Sequence, residues 1–199
     1  MKKINENGFT LIELLAVIVI MGILMMVAIP AVSRTIENSR KDTFMDVAKS
    51  YANSVKNLWA ADGISCTDVA DSELRVSTAL SAGDYYIKID STDANTIQLI
   101  EEGGKSPWGS RDVYGYVRVN IGTSANGDRA TKYYVALTDT LHTISSDYDG
   151  DNKIGDAGFA PTDSASLVRG KVIVDTTKAL SKDAIFTTPY FKNTGCTEN

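Results

Sequence analysis

MKKINENGFTLIELLAVIVIMGILMMVAIPAV, residues 1–32, decides the fold. Residues 14–32 are nineteen consecutive uncharged, apolar residues, long enough to cross a bilayer as a helix. Glu13 stands one step before them, with Phe9, Leu11 and Ile12 on its other side. A cleaved secretory signal has a shorter apolar stretch and a small-residue cleavage site; this run instead continues without a break into SRTIENSRKDTFMDVAKSYANSVKNLWAADG. In that continuation Phe44, Val47, Ala48, Tyr51, Val55, Leu58 and Trp59 fall at helical spacing among polar residues, so this half is amphipathic. The pattern predicts one helix from about Phe9 to about Ala61, ending at Gly63 as a left-handed cap. At about 1.5 Å per residue it would be about 80 Å long. Its first half needs lipid or other helices around it, and its second half needs a domain to lie against.

Outside this helix the 199-residue chain has length for about one domain with its own core. The formal net charge is −5, and −6 without residues 1–8, with no basic cluster, so no nucleic-acid partner is expected. Residues 85–90, 96–100, 113–120, 132–138 and 171–175 alternate or are rich in β-branched and aromatic side chains and are predicted strands. Between the third and fourth, TSANGDRA carries the Asn126-Gly127 turn signal. Short sequential strands imply an antiparallel sheet with the amphipathic helix face covering one side, an α+β fold.

Glu13 has two readings. Thr10-Leu11-Ile12-Glu13 fits a T-x-x-E capping box, in which the carboxylate only secures the helix start. The other reading comes from the residues before it. MKKINENG is short, polar and net positive, as a cytoplasmic flank is, and ends in Gly8 directly against Phe9. A polar leader followed by G-F-T-L-I-E-L-L (residues 8–15) and an apolar run resembles the class III signal sequence of type IV pilins.

The resemblance implies a domain plan and a chemistry. Residues 1–8 would be the leader, 9–32 the transmembrane and filament-core helix, 33–62 its amphipathic continuation and 63–199 a β-rich headgroup, the type IV pilin fold. A prepilin peptidase would cut between Gly8 and Phe9 and methylate the Phe9 amine. In the filament Glu13 would face the Phe9 amine of a neighbouring subunit, which would neutralise a carboxylate otherwise costly in a helix core. Gly22 and Pro30 also match the family pattern and would let the helix bend or melt there, Pro30 having a plain kink as its alternative. Pro107-Trp108-Gly109 is similar to a turn of type II secretion major pseudopilins, or is an ordinary turn with a buried Trp.

Cys66 and Cys196 are a disulfide candidate, since pilins of other lineages often fasten the C-terminal region this way; unpaired thiols in a cell living without oxygen are the alternative. In SSDYDGDNKIGDAG, Asp147, Asp149 and Asp151 have calcium-loop spacing, with Asp156 as a further ligand. Asn152 replaces the turn glycine and Gly158 the bidentate acid, so a solvated acidic loop is favoured over calcium; no other cofactor is expected. The single histidine, His142, is expected in an exposed loop, and no nucleophile motif is present, so an enzyme is not expected. The resemblance implies a structural subunit: single-pass in the membrane, then, through an assembly platform, part of an extracellular homopolymeric pilus for attachment, twitching motility or biofilm formation. The alternatives are a pseudopilin of a type II secretion or DNA-uptake system and, from another class, a monomeric single-span receptor or lectin whose headgroup binds a ligand.

Overall fold

The computed structural model describes residues 9–93, 97, 99, 106, 111–145, 161–174 and 195–199. It is an α+β chain. One helix, α1 (Leu11–Ala60), precedes strands β1 (Ile64–Thr67), β2 (Leu74–Val76), β3 (Gly83–Asp90), β4 (Tyr114–Thr123), β5 (Arg129–Thr138), β6 (His142–Ile144), β7 (Thr162–Asp163), β8 (Val172–Val174) and β9 (Cys196–Glu198). The chain divides into two compact units, Met1–Ser39 and Arg40–Asn199.

In the first unit α1 has no buried side chain among the described residues. Its apolar residues are exposed on every side, as a helix with no polar face must be when nothing surrounds it. This stretch is long and apolar enough to cross a membrane.

In the second unit α1 buries Phe44, Ala48, Tyr51, Ala52, Val55 and Trp59, steps of three and four that form one stripe. Val47 and Leu58 are partly buried beside it. Facing the stripe is a six-stranded antiparallel sheet in the order β3-β4-β5-β6-β8, with β7 paired to β5. Tyr85, Ile87 and Ile89 of β3, Val117, Val119 and Ile121 of β4, and Val135 and Leu137 of β5 alternate with outward residues and join the helix stripe in one core. The Trp59 and Tyr85 rings lie 5.9 Å apart at one end, and the Phe44 and His142 rings 5.5 Å apart at the other. β4 and β5 pair from Tyr114↔Thr138 to Thr123↔Arg129, and the Ser124 amide donates to the Asp128 carbonyl across the Asn126-Gly127 turn.

A second sheet was not expected. β1 pairs β2 on one side and β9 on the other, all antiparallel. Conversely, the strand expected at 96–100 is not one at its described residues: Ile97 and Leu99 pack on the core as irregular backbone. β-branched content there reports burial rather than pairing.

The helix terminus also differs from expectation. The left-handed residue is Asp62, at φ 53°, not Gly63. The Gly63 amide donates to the Leu58 carbonyl at 2.8 Å and the Asp62 amide to the Trp59 carbonyl at 3.3 Å, the paired bonds of a Schellman end. Aspartate tolerates the left-handed region, and its carboxylate accepts from the Ser77 hydroxyl at 2.8 Å and the Thr78 amide at 2.9 Å. Those bonds, led by Ser77, hold the Asp62 carboxyl below the usual carboxylate range.

Gly115 has no substitute. It sits mid-sheet opposite Leu137 with φ +153°, and an added Cβ would lie 2.1 Å from the Ala136 carbonyl oxygen. Backbone on the partner strand cannot yield without breaking the ladder. Gly115→Ala is therefore expected to destabilise the headgroup by about 3 kcal/mol or more. Urea unfolding monitored by tryptophan fluorescence measures it; a midpoint within error of wild type would contradict the clash.

Candidate functional site

The start of α1 is built by its own first turn. The Thr10 amide and hydroxyl both donate to Glu13 Oε2, each at 2.8 Å. The Glu13 amide donates back to Thr10 Oγ1 at 3.3 Å, and the Leu14 amide reaches the Thr10 carbonyl at 3.2 Å. The capping box is thus complete within one chain. Phe9 just before it is 89 % exposed. Gly22 faces open space, and α1 stays helical through Gly22 and across Pro30. Gly8 lies outside the described residues.

Behind the helix, Cys66 of β1 and Cys196 of β9 are opposite one another in the ladder and joined by a disulfide, with Cα atoms 4.0 Å apart. Cys66 is fully buried. The bond ties the segment after α1 to the last strand across 130 residues of sequence. Asp68 holds the same segment from inside: it accepts from the Ala70 amide at 2.8 Å and from the Ser81 amide and hydroxyl at 3.0 Å. Arg129 of β5 donates to the Ser77, Thr78 and Leu80 carbonyls, fastening the β4–β5 hairpin to it.

His142 corrects an expectation. It is 1 % exposed, in β6, against Phe44 of α1. Its Nδ1 lies 3.0 Å from Asp139 Oδ2, and the same carboxylate accepts from the His142 amide at 2.6 Å, the Leu141 amide at 3.0 Å and the Ser106 hydroxyl at 2.7 Å. A buried imidazole is stable there because the turn carboxylate is its partner. The sequence signal was the D-T-L-H spacing, a turn acid three residues before the ring. Ser106 meets Asp139 and not the imidazole, so these three do not form a nucleophile-base relay.

Burial alone would raise the Asp139 carboxyl, but the bonds from His142 and Ser106 outweigh it and leave it below the usual range. A carboxyl lowered in the folded state stabilises the fold above its unfolded pKa of about 3.9, and that contribution is lost as pH falls through the folded value. The melting temperature is expected to hold from pH 7 to about 5 and to fall below about 4. Asp139→Asn should be less stable at pH 7 by about 2 kcal/mol and decline less steeply in acid. An acid limb unchanged in the variant would assign the decline to other carboxylates.

Asp147, Asp149, Asp151 and Asp156 lie outside the described residues, as do Pro107, Trp108 and Gly109. Among the described residues no group of three or more His, Cys, Asp or Glu side chains is placed to hold a metal ion.

The family model of the prokaryotic N-terminal methylation motif matches residues 3–29, a stretch that includes Gly8, Phe9 and most of the apolar run. The chain is 29 % identical over 127 residues to the fimbrial protein EcpC of Eikenella corrodens, covering 64 % of this chain and 81 % of that protein. No solved structure matches the chain. The methylation motif on an apolar helix that becomes amphipathic, followed by an antiparallel sheet, and the similarity to a fimbrial protein support a type IV pilin.

Proposed function

We propose that the chain is a structural pilin subunit: cut between Gly8 and Phe9, methylated on the Phe9 amine, held in the membrane by residues 14–32, and then polymerised with identical copies into an extracellular type IV pilus serving attachment, twitching motility or biofilm formation. The observation that carries this reading is the Gly8-Phe9 junction followed by a helix half with exposed apolar residues on every side and one carboxylate, Glu13, at its start. A monomeric membrane anchor has use for the apolar run but not for a carboxylate at that depth. Glu13 would pair with the Phe9 amine of a neighbour, and Gly22 and Pro30 would let the helix extend locally on packing. The name of the Eikenella relative, a fimbrial protein, supports the same reading.

The second reading, a pseudopilin whose short filament drives type II secretion or DNA uptake, rests on the Pro107-Trp108-Gly109 sequence. The two share processing and differ in product. Mass spectrometry of the chain from sheared filaments is expected to show residues 9–199 with one added methyl group at the N-terminus. A mature N-terminus beyond the apolar run would end both readings. Immunogold imaging against the headgroup then separates long surface filaments from their absence, the outcome that favours a pseudopilin.

A further inference from the structure

Among the described residues of the headgroup unit, the large apolar side chains that stand exposed are Val69, Leu74, Val76 and Val168. The first three belong to the β1–β2 hairpin, where strand alternation puts Leu74, 62 % exposed, and Val76, 40 % exposed, on one face of β2. β2 is the outer strand of its sheet, so this apolar pair lies on an open edge. The hairpin is also acidic: one cation, Arg75, faces the three carboxylates of Asp68, Asp71 and Glu73. Val168, 57 % exposed, has the opposite setting. It opens the exposed turn 168–171 with Arg169 and Lys171; Arg169 is paired to Asp42, whereas Lys171 meets no carboxylate among the described residues. One surface is apolar and net negative, the other apolar and net positive.

The two surfaces are fastened to opposite ends of the headgroup part of α1. Ser77, next after β2, donates to the Trp59 carbonyl at 2.7 Å, and Arg169 Nε donates to Asp42 Oδ1 at 2.6 Å. Asp42 and Trp59 are about 26 Å apart along the helix axis.

We propose that the β1–β2 hairpin of one copy docks on residues 168–171 of a second copy, Glu73 against Lys171 and Leu74 and Val76 against Val168. The inference rests on the polymerisation read above and names a headgroup contact within it. A second copy is the occupant because the complement of each surface, in charge and in apolar character, is carried by the same chain. Hairpin against hairpin would bring acids together, and turn against turn would bring cations together; only hairpin against turn joins opposite signs. The contact is therefore head-to-tail. With its two halves at different heights along α1, it shifts each copy along the axis and leaves a free half at either end, so it propagates instead of closing as a two-fold dimer.

The test treats cells expressing the full chain with a carbodiimide, which joins a carboxylate to an ammonium group only where the two already touch. Sheared filaments are expected to yield a digest peptide pair linking Glu73 to Lys171, drawn from dimer and higher bands on a denaturing gel. Within one chain the two residues sit at opposite ends of the headgroup, so the link reports two copies. Glu73→Lys and Lys171→Glu should each lower filament recovery at least about threefold, and the two together should return it to within about twofold of wild type. Processed chain in membranes and the melting temperature of the full chain in detergent should match wild type in all three. The wild-type link needs no variant, so it decides the matter even if a variant misfolds. Filaments without a 73–171 link, a folded Glu73→Lys chain with normal filament yield, or a folded double variant no better than the singles would overturn this contact and leave polymerisation standing. Cells with no cross-linked multimer and no immunogold-labelled filament would instead end the polymerisation reading, and this contact with it.

Discussion

Glu13→Gln is expected to abolish filaments while leaving the subunit made, cut and inserted. The change is chosen because the helix cap survives it. In the single chain Glu13 acts as an acceptor, for the Thr10 amide and hydroxyl, and a glutamine oxygen accepts the same two bonds. What glutamine cannot supply is a counter-charge. If the carboxylate meets the Phe9 amine of a neighbour, its loss leaves an unpaired cation in a helix core, at a cost of about 3 to 5 kcal/mol for each junction. The penalty recurs at every subunit, so the sheared fraction should lose at least about tenfold in filament, while processed chain in membranes stays within about twofold. Thr10→Ala makes the reciprocal change: it removes a cap acceptor worth about 1 kcal/mol and keeps the charge, so it should assemble. Normal filament yield from Glu13→Gln, or equal failure of both variants, would reduce Glu13 to a helix cap.

Removal of the Cys66–Cys196 bond should cost the headgroup more than any other covalent change. The bond spans 130 residues of sequence, and in the chain-entropy description a loop of that size stabilises by about 5 kcal/mol. It also holds β9 to β1, a pairing of three short strands that cannot persist alone. Cys66→Ala with Cys196→Ala is expected to lower the melting temperature by about 10 to 20 °C, and reduction of the wild-type chain should approach the same value. The comparison is made by circular dichroism with and without reductant. Loss of less than about 3 °C would show that β9 is held by its ladder and not by the bond.

The chain's own order of residues determined a good part of this protein, and for local reasons. The helix was legible because Phe44, Ala48, Tyr51, Val55 and Trp59 repeat at the helical period, and β3, β4 and β5 because their inward residues alternate; each signal lies within one segment. The methylation motif was legible for the same reason, its G-F-T-L-I-E-L-L being eight adjacent residues. Tertiary structure decided whatever depends on residues far apart. β9 reads as three polar residues near the end of the chain, and it is a strand only because β1 lies beside it. Asp62 takes the left-handed position because Ser77 and Thr78 arrive to bond its carboxylate, and His142 is buried because α1 closes over it.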